Sequence, residues 1–281
     1  MNEIRTIALI GPGAMGEAIT AGLLRNGITL PEKILTAGPR LERLTELQER
    51  YGTRPFTDNR AAASQADVII LSIKPQRISK VLPDLAGAIQ PGALVLSIVA
   101  GATLQTLSEG LNHPAVVRSM PNTPAQIGEG VTVWTAAPSV TPEQHALACQ
   151  ILSALGDEVY VEEESYLDMA TALSGTGPAY VFLFMEALVD AGVHMGLPRR
   201  IAEQLVQQTI LGSVSYYQKN KIHTAQLRNQ VTSPGGTTAA ALYYLEKAGF
   251  RTALSRAIWA AYERSLDLGR GLNAKPPEQK D

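Results

Sequence analysis

Three glycines at positions 11, 13 and 16 restrict the fold of this chain more than any other feature, because of what flanks them. The apolar run Ile7-Ala-Leu-Ile10 passes directly into Gly11-Pro12-Gly13-Ala14-Met15-Gly16, and helical spacing continues over residues 14–26. A G-x-G-x-x-G series alone is weak evidence, but between a strand and a helix it is specific. Gly11 permits the tight turn, Gly13 lets the backbone approach a pyrophosphate, and Gly16 lets the helix pack close to the sheet. Free N–H groups at the helix start then hold the phosphates. Gly11, Pro12, Gly13, Ala14, Met15 and Gly16 are therefore the first candidate dinucleotide contacts. The plain alternative is a loop that needs glycine for geometry only.

Beyond the loop, the pattern of the chain fits an α/β Rossmann-type doubly wound sheet. Short apolar runs predict strands at 4–10, 33–36, 68–73 and 93–99, with weaker ones at 115–117, 130–134 and 157–161. Helical spacing lies between them at 41–51 and, opened by Pro75, at 75–88. Thr141-Pro-Glu opens another helix, since Thr caps and Pro suits the first turn. Such alternation predicts a mostly parallel sheet.

The pattern changes near Glu162-Glu-Glu-Ser165, so we place a dinucleotide-binding domain at 1–162 and a helical domain at 163–281. Helices are expected at 166–173, 180–195, 199–218, 237–248 and 251–269, with a loose Pro-rich tail from 273. Val181, Phe182, Phe184 and Leu188 spread around much of one helix, which therefore needs partners on most sides. A second copy of the chain supplies them most simply, so this half is expected to be an all-α dimerisation domain, with a monomeric cap as the alternative.

The end of the second strand reads Thr36-Ala37-Gly38-Pro39-Arg40, without the acid that usually accepts from an NAD ribose. Arg40 can face a 2′-phosphate instead, which predicts NADPH as cofactor, with NADH as the second choice. The other reading of Arg40 is a solvated first-turn residue. Ala37 lies beside it, and two further turns lie at carboxyl ends of strands. Ser72, Ile73, Lys74 and Pro75 form one; Val99, Ala100 and Gly101 form the other, where a nicotinamide ring could approach closely.

A second glycine-bearing turn, Ser233-Pro-Gly235-Gly236-Thr237-Thr238, enters a later helix. Its unpaired N–H groups and hydroxyls suit another anion, such as a substrate carboxylate. A capped turn, with Ser233 or Thr237 merely closing the helix start, explains the same residues equally well.

Three separated motifs carry a more specific likeness. They are Arg118-Ser-Met-Pro-Asn-Thr-Pro124, Ser174-Gly-Thr-Gly-Pro-Ala-Tyr180, and the run from Leu227 to Glu246 that contains the second turn. Over nearly its whole length the sequence resembles the pyrroline-5-carboxylate reductases. The resemblance implies NAD(P)H-dependent reduction of 1-pyrroline-5-carboxylate to proline, and a homodimer of interlocked helices that can associate further, up to a decamer. It implies a substrate carboxylate on Ser233, Gly235, Gly236, Thr237 and Thr238, with Thr238 near the ring nitrogen as the catalytic hydrogen-bonding group. Asn59 matches an asparagine near the adenosine end of the cofactor. Gln230 and Thr237 depart from some relatives, which carry asparagine and alanine there.

Composition narrows the rest. Net charge is −2 without a basic block, which argues against nucleic acid. No signal-like start or uninterrupted apolar span is evident, so the expected place is the cytoplasm, away from membranes. Cys149 is the single cysteine and reads as a packed thiol, and His113, His145, His194 and His223 lack metal-ligand spacing. Two rivals remain. A hydroxyacid dehydrogenase would need a reactive lysine, for which Lys219, Lys221 and Lys247 are poor candidates. A non-catalytic NADPH-binding scaffold would leave the second anion turn without a purpose.

Overall fold

The first half of the chain forms a single eight-stranded sheet, and the computed structural model describes residues 5–271. The strands are β1 (Ile7–Ile10), β2 (Ile34–Ala37), β3 (Arg54–Phe56), β4 (Val68–Leu71), β5 (Leu94–Ser97), β6 (Val116–Met120), β7 (Gly130–Ala136) and β8 (Gly156–Tyr160). They stand in the order β3-β2-β1-β4-β5-β6-β7-β8. All neighbours are parallel except β6 and β7, so β7 and β8 run against the others. The chain winds outward in both directions from β1 and β4, which makes their carboxyl ends the switch point where such sheets hold ligands.

Every residue of β1, β2, β4 and β5 is buried, as expected of strands covered on both faces. Alternate residues serve opposite faces. Ala8, Ile10, Ile69, Leu71 and Val95 point to one core, closed by α3 (Asn59–Ala63), α4 (Ile78–Leu85) and α5 (Leu104–Leu111). Ile7, Leu9, Val68, Ile70 and Leu94 point to the other, closed by α1 (Ala14–Arg25) and α6 (Pro142–Ser153). Helix α2 (Leu41–Tyr51) buries Leu44 and Leu47. Helix α6 begins with the cap expected of Thr141, and Gln144 completes it as a capping box: the Thr141 hydroxyl accepts from Gln144 N at 3.2 Å, and Gln144 Oε1 accepts from Thr141 N at 3.0 Å.

Several boundaries differ from the sequence expectation. Residue 4 lies outside the described residues, and β1 starts at Ile7. The element opened by Pro75 is a 3₁₀ turn leading into α4, which ends at Leu85 rather than 88. Pro83 donates no hydrogen bond there, and Gly87 turns the chain with φ +75°. The segments β3, α3 and α5 escaped prediction because they are short, and β3 contains Pro55.

The second half is helical throughout its described residues: α7 (Tyr166–Ala170), α8 (Gly177–His194), α9 (Arg199–Asn220), α10 (Thr224–Gln230), α11 (Thr237–Lys247) and α12 (Phe250–Gly269). A π-helical turn, Thr171–Gly175, joins α7 to α8, where Thr176 N reaches Thr171 O at 2.8 Å. The tail from 273 lies outside the described residues. Two compact units divide the chain differently from the expected boundary after residue 162. One is Gly177–Ala260; the rest of the described chain forms the other, in which α7 packs against β6 and β7, and the end of α12 meets α7 at Asp168 and the loop after β5 at Gly101. Within Gly177–Ala260 only Val189, Gly192 and Ala202 are buried, with Gly192 set against the Ala202 side chain.

Candidate functional site

At the carboxyl ends of β1, β2 and β4 the loops enclose a cleft of about 390 Å³. Gly11, Pro12, Gly13, Gly38, Arg40, Ser72, Ile73 and Lys74 line it, together with Arg43 and Arg77. A second cleft of about 250 Å³ shares Gly11, Gly38, Pro39, Ile73 and Arg77 and adds Asn59, Lys80 and Asp84. The glycines have separate roles here. Gly11 has φ +84°, and a methyl group on it would meet Ile73 Cγ2 at 2.5 Å. A methyl group on Gly13 would meet nothing within 4 Å, so it would project into the cleft. Gly16 is buried, with Leu9 and Ser72 Oγ just over 3 Å from where its Cβ would stand. The N-cap of α1 is Gly13, with no side-chain cap, so the first N–H groups remain available.

Charge fits this shape. Arg40, Arg43, Lys74 and Arg77 all line the larger cleft, and no acid does. Arg43 is already held, donating to Pro12 O at 3.1 Å and pairing with Glu17 and Glu46. Burial alone would raise the Glu17 carboxyl, but hydrogen bonds from Arg43 and Tyr51 outweigh it and hold it below its ordinary range. Arg40 is exposed and reaches the cleft from the N-cap of α2. Sequence reasoning passed over Arg77 and Lys80. The signal was a basic residue two positions beyond the Lys74-Pro75 turn, at a strand's carboxyl end.

Asn59 stands in the smaller cleft with its hydrogen bonding incomplete. Its Nδ2 donates to Asp84 Oδ2 at 3.3 Å, while its Oδ1 is buried without a partner. An orphaned buried acceptor costs about 1–3 kcal/mol unless something supplies a donor. A ribose hydroxyl or an adenine amine would. With the open space at Gly13, the basic lining and this acceptor, the residues fit a phosphorylated dinucleotide.

Not every expected contact lines a cleft. Ala37 is buried behind Gly11, whose N–H donates to its carbonyl at 2.9 Å. Met15 packs against the core, Ala14 is exposed at the helix start, and Pro75 turns the chain. Val99 is buried and Ala100 half-buried. At Gly101 the side that a Cβ would occupy is already filled. A methyl group there would meet Gly269 N at 2.7 Å, so the end of α12 fills that space.

The second turn lies in the other unit. Gly236 is the N-cap of α11 and no side chain caps it, so neither Ser233 nor Thr237 closes the helix start. Gly235 takes φ +69°, and Ser233 Oγ lies 2.4 Å from where a Gly236 Cβ would stand. Gly236 N–H is spent on Ser233 O at 3.1 Å, which removes it from the expected anion donors. The N–H groups of Thr237, Thr238 and Ala239 have no partner among the described residues. Lys247, by contrast, lies over the Tyr243 ring at 5.8 Å, and Lys221 is exposed. Burial and Glu158 push the Cys149 thiol up, away from nucleophilic character.

The other two motifs meet within the sheet-bearing unit. Asn122 Nδ2 donates to Ser174 O at 3.2 Å, and Met120 lies beside Gly175.

Comparison with known proteins agrees in both halves. The family model "Pyrroline-5-carboxylate reductase dimerisation" matches residues 164–268, and "NADP oxidoreductase coenzyme F420-dependent" matches residues 6–101. The pyrroline-5-carboxylate reductase of Synechocystis sp. is 46% identical, covering 94% of this chain and 98% of its own. That of Escherichia coli K12 is 36% identical over 95% and 99%. The crystal structure of Plasmodium falciparum pyrroline carboxylate reductase with NADP bound superposes with a TM-score of 0.87, at 33% identity over 94% and 98%. Identity of this level over nearly the full length of both partners places the chain in the pyrroline-5-carboxylate reductase family.

Proposed function

We propose that the chain reduces 1-pyrroline-5-carboxylate to proline, and that the uncapped start of α11 is where the substrate's carboxylate is held. When bound in the clefts of the sheet-bearing unit, NADPH supplies the hydride that adds to the imine carbon. The ring nitrogen must carry a proton in the product, and a protonated ring imine is already electrophilic. The protein's task is then orientation, which can supply about 7–11 kcal/mol in favourable cases.

The observation that carries this reading is the set of free donors at α11. Thr237 and Thr238 offer backbone N–H groups at the positive end of an eleven-residue helix. Ala239 joins them in place of Gly236. Ser233 Oγ adds a hydroxyl over the same turn, and Gly235 supplies the left-handed bend that shapes it. Thr238 is half-buried, and its hydroxyl has no partner among the described residues, so it can bond to the ring nitrogen directly or through water.

In the other unit, Gly13 and the start of α1 take the pyrophosphate. Arg40 and Arg77 take a 2′-phosphate, and Asn59 Oδ1 takes a donor on the adenosine. Lys74, Ser72 and Ile73 line the path between them.

The chain is a self-associating enzyme, and Gly177–Ala260 forms the homodimer. Dimers assemble further, up to a decamer, in the cytoplasm. The helical run Tyr166–His194 is long and apolar enough to cross a membrane by length and composition, and its most apolar stretch of 18 residues has a mean hydropathy of 1.3 with 11% of it buried. A partner copy covers the same surface without requiring lipid, and the match to a dimerisation family over 164–268 supports it.

The test is consumption of NADPH with 1-pyrroline-5-carboxylate, with proline identified as the product by mass spectrometry. NADPH binding without turnover would leave only a scaffold. Turnover of a hydroxyacid but no imine would move the chain to the dehydrogenases.

A further inference from the structure

Among the described residues, Arg118 is the most completely buried charged side chain that the cofactor and substrate cradles leave unused, with 3% of its side chain exposed. It stands on β6 opposite Ser97 of β5, at the carboxyl side of the sheet. Its Nη1 donates to Glu164 Oε1 at 2.9 Å and its Nη2 to Asp168 Oδ1 at 3.1 Å. Glu164 Oε1 also accepts from Leu104 N at 2.7 Å, at the first turn of α5. Asp168 Oδ1 also accepts from Ser265 Oγ at 2.7 Å, and Ser265 is itself buried.

The places these partners occupy along the chain matter more than their number. The chain passes between the two compact units twice, at Thr176 to Gly177 and at Ala260 to Ala261. Asp168 lies about two helical turns before the first passage, and Ser265 about one turn after the second. Both roots therefore converge on one carboxylate oxygen, and that carboxylate is fixed by a guanidinium standing on the sheet that bears the cofactor clefts.

We propose that Arg118 is a positioning residue for hydride transfer, holding the roots of both inter-unit passages on the cofactor-bearing sheet through Asp168 and Ser265. This rests on the function proposed above, in which the two ligand cradles belong to different units. A guanidinium suits the task because its rigid fork serves two carboxylates at once, whereas lysine offers a point charge on a flexible stem. Bond making at the imine carbon is sensitive to placement, and a displacement of about 1 Å can cost on the order of 10²-fold. Binding of NADPH alone uses none of these residues.

The experiment compares wild-type protein with R118K, D168N and S265A. NADPH affinity is measured by fluorescence titration, turnover with 1-pyrroline-5-carboxylate in steady state, and the isotope effect with NADPH deuterated at the transferred position. Expected for R118K and D168N is a fall in kcat of about 10–100-fold, with NADPH affinity unchanged and a larger isotope effect as the chemical step becomes limiting. S265A, which keeps the ion pairs, should show the same signature at roughly 3–10-fold, and combining it with D168N should add little, since both act through one oxygen. Should R118K or D168N fail to fold, S265A alone decides. Variants that fold, bind NADPH and turn over at the wild-type rate overturn the proposal, as does a loss of NADPH affinity in step with kcat. A wild-type protein inactive on the imine would overturn the assigned reaction instead, which keeps the two failures apart.

Discussion

A methyl group added at Gly11 and one added at Gly13 should have opposite effects, though the two residues share one loop. At Gly11 the left-handed backbone and the approach to Ile73 make Gly11→Ala a folding defect of about 2 kcal/mol or more, visible in thermal denaturation. At Gly13 nothing lies within 4 Å, so Gly13→Ala should leave the melting temperature within a degree or two, by order of magnitude, while weakening NADPH binding. Equal melting shifts would mean that Gly13 serves packing rather than a ligand. Arg40 is tested by cofactor choice: a charge-assisted bond is worth about 1.5–3 kcal/mol, so Arg40→Ala should raise the Michaelis constant for NADPH roughly 10–150-fold and leave that for NADH nearly unchanged. At the other cradle, Thr238→Val keeps the shape and removes the hydroxyl, and turnover should fall on the order of 10²-fold if that group bonds to the ring nitrogen. An unchanged rate removes Thr238 from catalysis. Residue identities that encode backbone geometry were legible in the sequence: Gly11 and Gly235 could be read because few other residues take their left-handed conformations, and Gly13 because a close approach to a ligand needs the missing side chain. Arg77 and the occupancy of the space beside Gly101 were not, since both depend on which distant segment folds against them.

Among elements, the α1 to α2 junction shapes the cofactor cleft through one carboxylate. Glu17 on α1 receives Arg43, Arg50 and Tyr51 from α2, and Arg43 in turn holds the Pro12 carbonyl of the glycine loop. Its folded-state pKa is depressed, so the ionised form contributes stability above the ordinary value of 4.5 that is lost as pH falls through the folded value. The gap between wild type and Glu17→Gln in chemical denaturation should therefore be about 1.5–3 kcal/mol near neutrality and shrink progressively in acid. A gap independent of pH would show that the carboxylate's charge contributes nothing. Long periodic elements such as α2 were legible to the residue, because an amphipathic helix carries its own pattern. The short β3 and the small helix α3 were not, since the sheet edge and the Asp58 cap create them more than their own side chains do. The continuation of α7 into α8 through a π-helical turn was equally hidden, because Gly175 and Gly177 in the sequence suggest a break.

For the whole molecule, the second compact unit is where the chain is incomplete on its own. A segment of this length ordinarily closes a core of its own, yet Gly177–Ala260 buries only Val189, Gly192 and Ala202 while leaving Phe182 at 62% and Leu183 at 67% exposure. Apolar surface on that scale marks an interface. Excess apolar residues on α8 were visible in the sequence, and they pointed to a partner without revealing which face meets which. An exposed side chain has few internal contacts to lose, so Leu183→Asp should cost the isolated chain little. In a dimer the same change buries an unpaired carboxylate twice, once per copy, at several kcal/mol each. Sedimentation should then show the variant as monomer at concentrations where wild type is dimeric. Its melting temperature should cease to rise with protein concentration, because mass action no longer couples assembly to folding. Turnover should fall with assembly, whereas NADPH binding in the sheet-bearing unit should survive. A variant that keeps the wild-type mass would mean that α8 faces something other than a second copy, and the helical run that could cross a membrane would then need a different cover.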